Sequence, residues 1–261
     1  DSFDTDEGYQ GKGQFLFTML GSSGNHGTEM NAHTSVGVDA QPRSHPAFYG
    51  MTVIGGSTGG RSGALMRVRG GSGGKFGNIV LAFPKDEGFR NDACGSETKT
   101  QTLPAASTSI GAIADGSTSG YLYFSSNNII NGASTPVRDD CSSNAFTTYV
   151  SSAPGFASVS SSCVDYGCLT STFNPLPSSN SVTMCGSVDG APNGDAFYDS
   201  ATCKGAFASS ATADNWLRGW SWLDCSSKMA HGLCTGGIPT SPFATLADTV
   251  GALGGDITSD T

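Results

Sequence analysis

Residues 62-SGALMRVRGGSGGKFGNIVLAF-83 decide how the rest of the chain reads. Two short apolar bursts flank a glycine turn, and the second follows an aromatic, a small residue and an asparagine. That shape recurs in 13-GQFLFTML-20, 47-AFYGMTVIGG-56, 74-GKFGNIVLAF-83 and 120-GYLYFSSNNIING-132. Each has an aromatic, a small or polar break, then an apolar run ending near Gly or Asn. Helix formers are scarce in these bursts, while Val, Ile, Phe, Tyr and Thr are common, which favours short strands. One strand–turn unit repeated at irregular spacing predicts stacked coils with inserted loops. The expected fold is therefore all-β, a right-handed parallel β-helix. A β-sandwich would show cleaner polar–apolar alternation at hairpin spacing.

The strand-bearing stretches are predicted at 13–20, 47–54, 64–69, 76–83 and 121–130. Phe15, Phe17, Met51, Val53, Met66, Val68, Ile79, Leu81, Tyr123 and Ile129 are the expected core. A shift of one residue within any strand would exchange its faces. Asn78, Asn127 and Asn128 precede Ile-containing strands and are expected at coil corners, where Asn tolerates the left-handed conformation. Coils are expected over 1–132, with loops inserted at 21–46 and 84–120. A Ser/Cys-rich region with further coils and a Trp-containing end cap follows at 133–234, then a weakly ordered tail at 235–261.

Composition bounds the function. The 261 residues suffice for one large domain with a substantial core. Charged residues make up 13% and hydrophobic ones 37%, the latter clustered in bursts rather than diluted as in a disordered chain. A net charge of -9 argues against nucleic acid as a partner. No apolar run reaches the length of about 20 residues that a membrane span needs. The eight cysteines, Cys94, Cys141, Cys163, Cys168, Cys185, Cys203, Cys225 and Cys234, form no CxxC pair, and four His are too few to suggest zinc fingers. Disulfides in an oxidising, extracellular compartment are expected instead. Cys94–Cys141 would tie the 84–120 insertion to the following coil, and Cys225–Cys234 would close a short loop after the Trp cluster. The other four leave their pairing open. There is no N-x-[ST] sequon, and the Ser/Thr-rich loops leave O-glycosylation open.

The stretches 1-DSFDTDEGYQGKGQFLF-17, FYGMTVIGG, SGALMRVRGGSGGKFGNIVLAF and the closing FYD, CKGAF and DNWLRGWSWLD segments resemble a family of secreted right-handed parallel β-helix proteins. These occur on the surfaces of bacteria and some microalgae and have no agreed activity. The resemblance covers roughly residues 1–225. It implies a secreted surface protein, and it implies that this chain is the C-terminal part of a β-helix, since further coils precede the acidic–glycine motif in the family. An uncovered first strand would be a template for pairing. The expected partners are therefore a missing N-terminal segment, a separate chain, or another copy stacked head to tail into a filament or surface layer.

Four sets of residues carry chemical expectations. Asp4 and Asp6 share a face of an extended strand, with Glu7 beside them; hard oxygens suit Ca²⁺, and capping of backbone N–H groups is the other reading. Arg67 and Arg69 share an outer face near Lys75, a set that could grip an acidic polysaccharide, or pair with acids on neighbouring coils. His26, Glu29, His33, His45 and Asp39 crowd the first loop, where two His and a carboxylate would make a metal site. Trp216, Trp220 and Trp222 either seal the end of the coil stack or present a platform to sugar rings. No GxSxG elbow or phosphate-loop context is present. The leading expectation is a structural or adhesive extracellular protein that is not an enzyme and needs no cofactor. The alternatives are a pectate-lyase-like enzyme built on Asp4, Asp6 and Arg67 or Arg69, and a glycan-binding module without turnover.

Overall fold

The computed structural model describes residues 1–21, 24–56, 63–95, 122–141, 149–161, 169–190 and 195–235. Strands alternate along the chain between two sheets. Sheet A takes β1 (Phe3–Thr5), β3 (Thr28–Asn31), β5 (Ala64–Arg69), β7 (Glu87–Asp92) and β10 (Thr135–Asp139), in that order. Sheet B takes β2 (Lys12–Met19), β4 (Ala47–Ile54) and β6 (Gly74–Ala82), with β8 (Leu122–Phe124) and β9 (Ile129–Asn131) both on β6. Every pairing within these two sheets is parallel. A chain that visits A, then B, then A again one strand further along is winding a parallel β-helix, as expected.

The interior is one apolar cluster containing Met30, Phe48, Met51, Val53, Met66, Val68, Phe76, Ile79, Leu81, Phe89, Leu122, Phe124 and Ile130. Rows of like side chains stack across coils: Leu16, Met51 and Ile79 in sheet B, and Met66, Phe89 and Val137 in sheet A. Each such residue is worth about 1.5–3 kcal/mol when fully removed from water.

Sheet B turns a corner in its middle. Phe15, Gly50 and Asn78 occupy the same place in β2, β4 and β6, and all have positive φ, at 54°, 75° and 55°. This left-handed residue resets the alternation, so Phe48 and Met51 both face inward although they are three apart. Asn128 closes the corner from the next coil: its Oδ1 accepts from the Ile79 N–H at 2.8 Å and its Nδ2 donates to the Phe76 carbonyl at 2.9 Å. Asn78, in the left-handed position, and Asn128, bonding to the strand beside it, act at the corner as the sequence predicts, while Asn127 donates instead to the Asp189 carboxylate at 2.7 Å.

The corner also explains which core residues differ from expectation. Met51, Val53, Met66, Val68, Ile79 and Leu81 line the interior. Phe15 instead sits in the corner row, and the interior residue of β2 is Leu16. Phe17 packs outward on the Phe207 ring at 6.0 Å. Tyr123 joins Tyr49 and Tyr198, and Ile129 joins Val80, Ala82 and Met184, both outside the stack. Sheet B is apolar on both faces because residues beyond Val150 fold back across it, so alternation there cannot indicate a face.

Two stretches read as loops hold strands: β3 lies inside 21–46 and β7 inside 84–120. Of the further coils expected over 133–234, the described residues show β10 and a parallel bridge from Ile129 to Val150. After that come an antiparallel pair, β11 (Phe156–Ser158) and β12 (Asn174–Pro177), and two one-turn helices, α1 (Val182–Cys185) and α2 (Trp222–Cys225). Cys94–Cys141 and Cys225–Cys234 are bonded as expected, and Cys185–Cys203 adds a third bridge. Cys163 and Cys168 lie outside the described residues, as does the tail from 236 onward.

Candidate functional site

Parallel register puts side chains of the same parity in rows along the outer face of sheet A. One row is Asp4, Glu29, Arg67, Arg90 and Arg138, one residue per strand. Arg69 faces Asp92 in the next row. The guanidinium of Arg67 forks onto Asp92, Nε to Oδ1 at 3.0 Å and Nη2 to Oδ2 at 2.9 Å, and its Nη1 reaches Glu29 Oε1 at 3.0 Å. Arg69 meets the same Glu29 oxygen at 2.7 Å. Arg90 pairs with Glu87 at 2.6 Å, and Arg138 with Asp140 at 2.7 Å. Burial opposes ionisation of Glu29, but Arg69 and Arg67 outweigh it and hold the carboxyl below its usual range. Burial likewise opposes the Arg67 charge, and Asp92 and Glu29 more than restore it.

The pairing with acids on neighbouring coils is the reading the geometry supports for Arg67 and Arg69. Lys75 is not with them; it lies on the outer face of sheet B, buried. The three residues do not assemble into a polyanion grip. Asp1, Asp4, Glu29, Asp86, Glu87, Asp92 and Asp140 outnumber Arg67, Arg69, Arg90 and Arg138 on this side, so the face is acidic overall.

The opening acids separate in the same way. Asp4 stays in the outer row, exposed. Asp6 and Glu7 cap a turn: Asp6 Oδ1 accepts from the Thr34 N–H at 3.0 Å, and Glu7 Oε1 accepts from the Ser35 hydroxyl at 2.8 Å. This is the capping arrangement, not a convergent triplet of oxygens. The first-loop group also disperses. His33 pairs with Glu7 at 2.5 Å and Asp39 with Arg43 at 2.9 Å, while His45 is tied to the first coil by its backbone N–H, which donates to the Tyr9 carbonyl.

Two members of that group stay together and gain a third. His26, Glu29 and Asp1 each present a ligand atom within 4.8 Å of the others. His26 is buried, with Nδ1 2.8 Å from the Ala64 carbonyl and its backbone N–H on Asp1 Oδ1 at 2.9 Å. Burial lowers its pKa, which keeps the ring neutral at pH 7. An open groove of about 410 Å³ runs beside it, lined by Asn25, His26, Arg67, Asp86, Glu87 and Arg90. The sequence reading missed Glu87, Arg90 and Asp92 because 84–120 offered no repeat signature; the faint signal was Phe89 alone among polar residues of 87-EGFRND-92.

The second surface is the Trp loop. Trp216 belongs to the apolar cluster over sheet B, with Nε1 donating to the Ala206 carbonyl at 2.7 Å and its ring 6.0 Å from Phe207. Trp220 stacks on Trp216, ring centroids 6.0 Å apart and planes 17° apart, yet is 66% exposed. Trp222 is 44% exposed. The cluster thus lies on the flank of the β-helix and not over the end of the coil stack. Its loop is fixed from below. Asp224 is buried and accepts from Gly219 and Leu233 N–H groups, the latter at 2.9 Å. Burial would raise its pKa, but these bonds and one from Cys234 hold it low. Cys225–Cys234 closes the loop.

No curated protein and no solved structure matches the chain. Residues 1–144, more than half of the 261, match the pectate-lyase-like β-helix domain, and those residues hold every strand of the two parallel sheets. By winding, register and sequence, the chain belongs to the pectate-lyase-like β-helix domain family.

Proposed function

We propose that this is an extracellular adhesive β-helix that holds carbohydrate on the Trp loop without turning it over. The observation that carries the reading is the exposure of Trp220 and Trp222 on a loop that is otherwise fixed by a buried carboxylate, a disulfide and a ring stack. Large apolar rings left in water are costly, and such rings on a fixed loop offer a surface to a partner with an apolar face and a polar rim. A pyranose ring has that character. The three disulfides support an oxidising compartment and hence secretion. Among the described residues no helix is long and apolar enough to cross a membrane. Head-to-tail self-association, or a further segment covering β1 and β2, belongs to the same proposal, because these are the terminal strands of their sheets. Light scattering over a concentration series tests the self-association.

Affinity electrophoresis through neutral and acidic polysaccharides tests the binding. Wild type is expected to be retarded by at least one neutral polymer, and the double variant Trp220→Ala, Trp222→Ala to migrate freely with unchanged near-UV circular dichroism. Equal retardation of the two proteins refutes the reading.

The groove on sheet A, together with the family, favours a second reading, polysaccharide cleavage along the coils. There Arg67, Glu87 and Arg90, which line the groove, would face the substrate. Release of reducing or unsaturated ends from the same polymers, abolished by Arg90→Ala, would establish it over the adhesive reading.

A further inference from the structure

We propose that Asp1, His26 and Glu29 bind one divalent transition-metal ion, Zn²⁺ or Mn²⁺, on the wall of the sheet A groove. The backbone brings the three together: the Ser2 and Phe3 N–H groups bond the His26 and Gly27 carbonyls, which lays Asp1 beside His26, and Glu29 follows three residues later on the same coil, in β3. The Ala64 carbonyl only accepts, so Nδ1 of His26 keeps the proton and the ring lone pair is on Nε2. A backbone carbonyl fixing one nitrogen of a buried imidazole is the usual support of a metal-ligating histidine. Nε2 has no hydrogen-bond partner among the described residues.

The carboxylates are arranged to match. Both arginine bonds to Glu29 fall on Oε1, which leaves Oε2 for a ligand. Asp1 uses Oδ1 for the His26 N–H and keeps Oδ2. Ligand atoms about 2.0–2.2 Å from a shared ion lie roughly 3–4 Å from one another. One ligand atom from each of the three residues lies within 4.8 Å of the others, which brings a shared ion within reach of the set. Arg67 and Arg69 offset part of the Glu29 charge, so the ion must gain from the imidazole as well as from Coulomb attraction. One nitrogen and two oxygens are too few hard ligands for Ca²⁺, whereas Zn²⁺ and Mn²⁺ accept this mixed set and fill the remaining positions with water or a groove-bound oxygen.

The test uses chain stripped with chelator and dialysed, then titrated with Zn²⁺ by calorimetry and with Mn²⁺ by electron paramagnetic resonance. One ion per chain is expected, with affinity at least tenfold weaker in His26→Gln and Glu29→Gln. Asp1→Asn and Glu29→Gln alter partly exposed groups and keep the test valid where the buried His26→Gln fails to fold; thermal melting identifies that case. A wild-type chain that takes up neither ion, or folded Asp1→Asn and Glu29→Gln variants that bind as tightly as wild type, overturns the proposal.

Discussion

The outer faces of the two sheets are built on the same backbone and solve opposite problems. Sheet A leaves its outer face to solvent and covers it with ion pairs, Glu29–Arg67–Asp92 and Glu87–Arg90, which satisfy one another across coils. Sheet B buries its outer face under residues drawn from 150–161, 169–190 and 195–235, with Ile54, Val80, Ala82 and Ile129 packed against Phe207, Met184 and their neighbours. Polar groups on that side are hydrogen-bonded to the cover. Asn78 exchanges two hydrogen bonds with the Asp189 backbone, and Thr52 Oγ1 takes the Ala206 N–H at 2.9 Å. The approach is close: a Cβ on Gly205, whose φ is +93°, would stand 2.5 Å from Thr52 Oγ1. In one face stability comes from charge, in the other from exclusion of water, and the two should fail differently.

The largest difference is expected in the apolar cover. Phe207 is fully buried between Phe17 and Trp216, so Phe207→Ala should lower unfolding stability by about 3–5 kcal/mol in urea titrations. A loss below about 1 kcal/mol would show that the apolar cover around Phe207 docks loosely and that the two faces are alike.

Asn78→Ala comes next. The alanine must hold φ near 55° and leaves the Asp189 N–H and carbonyl without the amide that bonds them, which together should cost about 2–4 kcal/mol. Asn78→Gly relieves only the backbone part, so a smaller loss in the glycine variant separates corner strain from lost bonding.

Acid should separate the faces by sign. Glu29 has a lowered folded pKa, so its contribution is present above the unfolded value and is lost as pH falls through the folded one. Burial raises Asp189, so its ionisation weakens the fold as pH rises from the unfolded value to the folded one. Between about pH 5 and pH 3, Glu29→Gln should flatten the stability profile and Asp189→Asn should steepen its fall on the acid side. Urea midpoints across that range measure both, and identical slopes in the two variants would contradict the assignment.

The smallest effect is expected at Arg138, whose exposed pairs with Asp140 and Glu87 lie at the edge of the ladder. Arg138→Ala should leave the urea midpoint within the scatter of repeat wild-type measurements, because solvent screens exposed pairs. A larger loss would mean that the ladder acts as one unit.

The coils were legible in the sequence because an aromatic, a break and an apolar run recur whenever a chain must lay one strand on the last. Strands β4 and β5, the interior positions of Met51, Val53, Met66, Val68, Ile79 and Leu81, the corner asparagines and two disulfides follow from that pattern and from spacing. Phe15, Phe17, Tyr123 and Ile129 did not, because apolar residues face both ways wherever a second layer covers a sheet, and because one left-handed residue at the corner shifts parity. The candidate site was less legible still. Asp1, His26 and Glu29 are up to 28 positions apart and belong to adjacent coils, while His33, nearer in sequence to Glu29 than Asp1 is, pairs with Glu7. Local sequence determined what each strand is. The coil length set by the loops decided which side chains meet, since neighbours across a parallel stack are separated by a whole turn of chain.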